Sequence, residues 1–286
     1  MNNKKNILIT GGVGFIGSNL AERLEKDGHN VISIDNYSFG KKENEHKNVK
    51  YINDDLENIH RINESIDICY HLAAKARVQP SFADPVDYFR VNAKGTMEVM
   101  EWAKKNNTKV VYAGSSSKHF SPEDSPYAMY KYLGEQVIKL YKKSFNVKAE
   151  IARFYNVYGP RENRDEKFGN VIGIWTAKAM KGKALPIVGD GMQRRDFTHV
   201  HDIVDGLIKI GFSNAYEEDG WELGTGNNYS INELFEMFKL RFNAKATFIP
   251  DQPGNYKKTL RKNDKLLDLL DWKPSDKLAE HVKNLS

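Results

Sequence analysis

The stretch Ile7-Leu8-Ile9-Thr10-Gly11-Gly12-Val13-Gly14-Phe15-Ile16-Gly17 decides the fold. Its first four residues are a short apolar run with β-branched side chains, which reads as a buried strand. Glycines 11, 14 and 17 follow, and a helix over 15–27 is expected, apolar at Phe15, Ile16, Leu20 and Leu24 and stopped by Gly28. Strand, glycine turn and helix together let backbone amides and a helix N-terminus approach a pyrophosphate. The glycines alone fit a plain tight turn equally well. The next strand, 31–34, decides between the two, because it ends in Asp35 about twenty residues beyond the glycines, where a carboxylate accepts both ribose hydroxyls of an adenosine. Asp35 would repel a 2′-phosphate, and Asn36 and Tyr37 bring no cation to offset it, so NAD is expected over NADP. A turn or cap role for Asp35 fits its position less well. The expected dinucleotide contacts are thus Gly11, Gly14, Phe15, Ile16, Gly17, Asp35 and Asn36.

The alternation continues. Residues 49–52 read as a third strand, followed by Asp55 and Leu56, which can reach an adenine edge; capping is an equally good account of Asp55. A fourth strand, 66–72, ends in Leu72-Ala73-Ala74, small residues that leave room for a ligand. Asp84-Pro85 starts a helix reaching about residue 105, with Asn92 and Gly95 inside it. Residues 109–113 form a fifth strand leading into Gly114-Ser115-Ser116-Ser117, and 148–154 a sixth. Strands alternating with helices imply right-handed crossovers, a doubly wound parallel α/β sheet, and ligands at the carboxyl ends of its strands.

Ser125-Pro126 opens a helix over 127–145, in which Tyr127 and Lys131 lie one turn apart on the same face. An ammonium beside a phenol favours the phenolate and makes Tyr127 a usable proton acceptor. By itself such a pair is most often a solvated helix face.

Length and composition narrow the classes further. A chain of 286 residues holds one large or two modest domains with a real core. Its formal charge of +5 is scattered, without the basic tract of a nucleic-acid arm. The single cysteine, Cys69, sits in an apolar strand and reads as inert packing. The charged start, 1–5, precedes an apolar run too short for a signal peptide, and no stretch approaches a membrane span, so a cytoplasmic enzyme is expected. No metal site is expected.

Taken in order, these pieces resemble the extended short-chain dehydrogenase/reductase family, in its nucleotide-sugar epimerase and dehydratase branch. The likeness is carried by Gly11-x-x-Gly14-x-x-Gly17, Asp35, His71-Leu72-Ala73-Ala74, Asn92-x-x-Gly95, Ser115-Ser116-Ser117, Tyr127-x-x-x-Lys131, Arg153-Phe154-Tyr155-Asn156-Val157-Tyr158-Gly159-Pro160 and Arg194-Arg195-Asp196-Phe197. It implies a Rossmann-type NAD-binding domain over 1–168, with 199–225 returning to it, and a smaller substrate domain over 169–286. It further implies that Tyr127 takes a proton from a sugar hydroxyl as hydride leaves for the nicotinamide. Lys131 would hold the cofactor ribose and lower the Tyr127 pKa. Ser117 would hydrogen-bond the reacting hydroxyl, with Ser115 and Ser116 left as a turn near the cofactor. Leu72, Ala73, Ala74 and Asn92 join the cofactor contacts, and Asn156 and Arg195 the substrate contacts. For Arg195, a surface ion pair with Asp196 or Asp202 is the competing account. A homodimer is expected through the helices near 86–105 and 127–145.

Three departures refine the expectation. Lys118-His119 follows Ser117, where dehydratases and decarboxylases of the family carry acids; this favours oxidation and re-reduction at one carbon, hence an epimerase acting at C4. His119 is expected as an exposed loop residue. The segment 117–127 is short, which suggests a more open sugar pocket. Gln252 and Asn255 stand where relatives place charged nucleotide contacts, with Lys257, Lys258 or Arg261 as substitutes for the missing cation. A dehydratase, a keto-reductase or dehydrogenase, and a non-catalytic NAD-binding sensor or scaffold are the alternatives.

Overall fold

The computed structural model describes residues 4–286; residues 1–3 of the charged start lie outside it. Seven parallel strands form the main sheet, lying side by side in the order 221–223, 149–154, 109–115, 68–71, 6–10, 30–35 and 50–53. In chain order the first half runs β1 (Asn6–Thr10), α1 (Phe15–Lys26), β2 (Asn30–Asp35), β3 (Lys50–Asn53) and β4 (Ile68–His71). It continues through α2 (Val78–Ala83), α3 (Pro85–Phe89), α4 (Gly95–Asn106), β5 (Lys109–Ser115), α5 (Pro126–Phe145) and β6 (Ala149–Phe154). The strand order reverses between β1 and β4, which opens the crevice where such sheets bind ligands.

The helix expected over 84–105 exists but is not uniform. Asp84 caps it by accepting the Asp87 N–H. Between α3 and α4 the chain widens into a π turn, Arg90–Lys94, an irregularity often found at functional sites. Here it places Asn92 inward, only 2% exposed.

The second half comprises β7 (Asn156–Tyr158), α6 (Val171–Ala179), β8 (Leu185–Val188), β9 (Arg194–Arg195), β10 (Phe197–His199), α7 (Val200–Phe212), β11 (Trp221–Leu223), β12 (Tyr229–Ser230), α8 (Ile231–Phe242), β13 (Ala246–Ile249), α9 (Lys265–Leu270) and α10 (Leu278–Lys283). Strand β11 pairs with β6 in the main sheet, and α7 packs beneath it through Ile203, Leu207 and Ile210. Leu266 and Trp272, in the stretch expected to serve the smaller unit, lie in that same core. A separate core gathers Trp175, Leu185, Ile187, Phe197, Leu234, Phe238 and Leu278. Its edges are three two-stranded ladders, β7–β10, β9–β12 and β8–β13. Ser230 and Glu233 form a full capping box at the start of α8.

A buried ion pair ties α5 to the sheet. Arg153 on β6 donates to Glu135 at 3.0 and 2.9 Å, and both side chains are almost completely enclosed. Glu135 lies one turn beyond Lys131, so this pair fixes where α5 stands against the strand ends.

Candidate active site

The glycine turn holds its shape through contacts that forbid side chains. A Cβ on Gly17 would come within 2.1 Å of the Gly11 carbonyl oxygen, and one on Gly11 within 2.8 Å of the Ala73 nitrogen. Gly11 also has φ +78°, a left-handed conformation natural to glycine. The loop therefore lies directly against Leu72 and Ala73, with the Thr10 hydroxyl accepting the Ala73 N–H at 3.1 Å. His71, buried between the hydroxyls of Thr10 and Thr96 at 2.8 and 3.1 Å, is pushed down to about 3 by burial and stays neutral.

These residues fit NAD. No side chain caps α1 and no acid occupies its first turn, so the amides around Phe15 and Ile16 face the crevice with nothing competing for an anion. Asp35 accepts N–H groups of Val13 and Tyr37 at 3.1 and 2.8 Å, and burial raises its pKa. Among the described residues it has no cationic partner, which suits a carboxylate kept for ribose hydroxyls. Asn36 donates to Asp55 at 3.0 Å, and Asp55 also caps the turn beginning at Leu56.

Two expected cofactor contacts also serve the fold. Both amide groups of Asn92 are used on the backbone of Lys75, at 2.8 and 2.9 Å, so it clamps the loop after β4. The Leu56 side chain is buried in the core under Gly95, whose added Cβ would stand 3.0 Å from it.

Tyr127, Ser115 and Ser117 come together at the carboxyl end of β5. The Tyr127 hydroxyl donates to the Ser115 Oγ at 3.3 Å, and the Ser117 hydroxyl donates to the same oxygen at 2.9 Å. Ser115 is thus the link between the two expected catalytic groups, not merely a turn residue. Lys131 is buried, donates to the Ala113 carbonyl and lies 4.4 Å from the centre of the Tyr112 ring. Burial lowers its pKa to about 8, with Glu135 opposing.

The expected lowering of the Tyr127 pKa is not what the chain alone produces. Burial raises it, against the Ser115 hydrogen bond and the charge of Arg77. Desolvation outweighs a single nearby charge when the phenol sits in an enclosed site. His119 is likewise not a free loop histidine: it is hydrogen-bonded to Glu222, whose side chain is fully buried. The short 117–127 segment meets the second half of the chain through one ring stack. Phe120 stacks flat on Tyr256, ring centres 3.8 Å apart.

Arg195 forms no ion pair with Asp196 or Asp202. Asp196 instead accepts the N–H groups of Thr225, Gly226 and Arg261, at 2.9 to 3.1 Å, while Asp202 pairs with Lys277 at 2.8 Å. Arg195 donates to the Asn255 amide oxygen and the Tyr256 carbonyl, both at 2.6 Å, and burial lowers its pKa to about 10. Asn156 donates to the Asp196 carbonyl and Thr259 at 3.2 and 3.0 Å. Arg261, one candidate substitute cation, is tied to Asp264 at 2.7 Å and to the Gly224 carbonyl. Glu135 and the linking role of Ser115 were not anticipated from the sequence; the serine run held the signal for Ser115, whereas Glu135 carries no local one.

A dinucleotide crevice beside a tyrosine–serine–lysine cluster defines an NAD-dependent enzyme of the short-chain dehydrogenase/reductase type. The chain belongs to the NAD dependent epimerase/dehydratase family, whose model matches residues 7–217. It is 33% identical to a putative UDP-glucose 4-epimerase of Methanocaldococcus jannaschii, over 98% of this chain and 96% of that protein. It is 30% identical to UDP-glucuronic acid decarboxylase 1 of Danio rerio, over 97% of this chain and 71% of that one. The crystal structure of UDP-glucose 4-epimerase with UDP-glucose from Thermotoga maritima superposes with a TM-score of 0.91 at 28% identity, covering 98% of this chain and 97% of that one.

Proposed function

We propose that the protein interconverts the C4 epimers of a nucleotide-diphosphate sugar by oxidising the C4 hydroxyl to a ketone and reducing it from the other face. The observation that carries this reading is the Tyr127–Ser115–Ser117 cluster, with no acid on the turn directly after it: Lys118 and His119 follow, paired with Asp219 and Glu222. NAD accepts the hydride and returns it. Tyr127 takes the proton from the reacting hydroxyl and gives it back, while Ser117 holds that oxygen. Lys131, with one backbone acceptor, has protons left for the nicotinamide ribose. Arg195, enclosed without a carboxylate, holds the diphosphate, and Asn255 and Asn156 hold its surroundings.

The sugar nucleotide binds between the sheet domain, 1–168 with 199–225, and the smaller unit. The protein works in the cytoplasm, where NAD and sugar nucleotides are available. It acts as a homodimer. Supporting this, Phe82, Val86, Phe89 and Met97 on one side and Tyr132, Leu140 and Phe145 on α5 are exposed, Val86 by 77%. Two neighbouring helical segments then present one apolar surface of a kind that marks an interface. Among the described residues no helix is long and apolar enough to cross a membrane.

The test is a panel of UDP-, dTDP-, GDP- and CDP-sugars with products read by NMR and absorbance followed at the NADH band. An epimer should form without net NADH. Net cofactor reduction, or loss of water from the sugar, would refute the epimerase reading.

A further inference from the structure

Arg77 is a cation for which the roles above have no use. It directly precedes α2, whose Ser81 hydroxyl accepts the Tyr127 backbone N–H at 3.2 Å. Val78 lies against the loop 252–255, since a Cβ on Gly254 would stand 2.8 Å from its Cγ1. Gln79 donates to the Pro253 carbonyl on the same loop at 2.7 Å. Helix α2 is therefore wedged between the start of α5 and that loop, beside the proposed base. The Arg77 guanidinium donates through Nε to the Phe168 carbonyl at 2.8 Å and pairs with no carboxylate among the described residues. The Arg77 charge favours the Tyr127 phenolate against its burial, and the carboxylate nearest in influence to Arg77, Glu162, makes no hydrogen bond to it.

A second group in this place also lacks a partner. The Tyr256 hydroxyl is buried with no hydrogen bond, on a ring fixed by its stack with Phe120. A free guanidinium fork and an unsatisfied phenol together call for an acceptor-rich anion. The substrate diphosphate has Arg195 and the NAD pyrophosphate has the amides at the start of α1, so the remaining place for negative charge is the sugar ring. In a hexuronic acid the carboxylate is borne by C5, the carbon next to C4. A receptor for it must stand beside the group that deprotonates the C4 hydroxyl, which is where Arg77 stands.

Resting on the epimerase reading, we propose that Arg77, helped by the Tyr256 hydroxyl, selects a nucleotide-diphosphate sugar that carries a carboxylate, a uronic acid. A neutral hydroxymethyl group offers one oxygen and leaves the guanidinium half-desolvated and unpaired. The carboxylate offers two in the geometry the fork matches. Once C4 is a ketone, that carboxylate belongs to a β-keto acid. Loss of CO2 would break the C5–C6 bond, move its electron pair into an enolate on the C4 oxygen and require a proton at C5. A guanidinium holding the negative charge on the carboxylate opposes that movement.

Calorimetric titration of the NAD-loaded protein with UDP-glucuronate and UDP-glucose tests the assignment. The uronate should bind about 10- to 100-fold more tightly, as expected for hydrogen bonds to a charged group. In Arg77→Gln the ratio of the two affinities should fall to within about threefold, and Arg77→Lys should restore part of it. Tyr256→Phe, which removes one oxygen and nothing else, should lower the ratio by about three- to tenfold. Equal affinities in the wild type, no binding of the uronate, or equal weakening of both ligands in Arg77→Gln would overturn the assignment. Turnover separates the two readings. Release of CO2 with a pentose product would overturn the epimerase reading and the opposition of Arg77 to decarboxylation while supporting its selection of the uronate, and epimerisation of UDP-glucose alone would support the epimerase reading and overturn that selection.

Discussion

Tyr127 and Ser115 meet at 3.3 Å at the carboxyl end of β5, and the same serine oxygen receives the Ser117 hydroxyl at 2.9 Å. The proposed base and the proposed holder of the reacting oxygen are thus joined through one hydroxyl. Tyr127→Phe should lower kcat by about 10²- to 10⁴-fold, the range for loss of a positioned acid–base group, while leaving bound NAD in place. Steady-state rates, with assay of the NAD released from the purified protein on denaturation, check both halves. Activity within tenfold of wild type would show that another group moves the proton.

Lys131 carries a pH signature. Its folded pKa of about 8 lies below the usual 10.5 because burial disfavours the ammonium. Between these values the unfolded chain binds the proton that the folded chain has released, so stability rises with pH across that window. Below about 8 the burial penalty is present in full. Relative to Lys131→Met, the cofactor-free protein should gain stability from pH 8 to 10.5 by up to about 3 kcal/mol, read from urea unfolding at each pH. Parallel curves for the two proteins would place the lysine in contact with solvent.

The Arg153–Glu135 pair is enclosed on both sides. Arg153→Met leaves Glu135 buried without its partner and also releases Asp219 and Glu222, and should cost about 3–5 kcal/mol in urea unfolding, whereas Arg153→Met with Glu135→Leu should recover the part due to Glu135. Because Glu135 is one turn from Lys131, the single variant should also lose activity before it unfolds.

Dimerisation through the helices flanking Asn92 and through α5 is tested by Val86→Glu with Leu140→Glu, at positions 77% and 49% exposed. Removing apolar surface that only a second copy covers should shift the protein to monomer in sedimentation, with little change in the isolated fold. An unchanged sedimentation coefficient would place the interface elsewhere.

Local pattern was enough for the sheet, the glycine turn, Asp35, and the Tyr127–Lys131 pair, because each depends on spacing within a few residues of chain. The same pattern marked the Ser230 capping box and the strand at Trp221. It did not reveal that burial raises the Tyr127 pKa, that His119 is paired with Glu222, or that Asn92 is spent on the Lys75 backbone. Each of those outcomes depends on a partner or an enclosure supplied by distant chain, with Glu222 more than a hundred residues from His119. The sequence by itself determined the family and the cofactor, since these reside in short motifs. Only the tertiary structure decided which charges are left unpaired. Arg195 stays free because Asp196 is saturated by backbone amides, and Arg77 stays free because its helix is wedged beside Tyr127 with a carbonyl as its neighbour. Whether a charge is available to a ligand is settled by what else folding brings within reach of it.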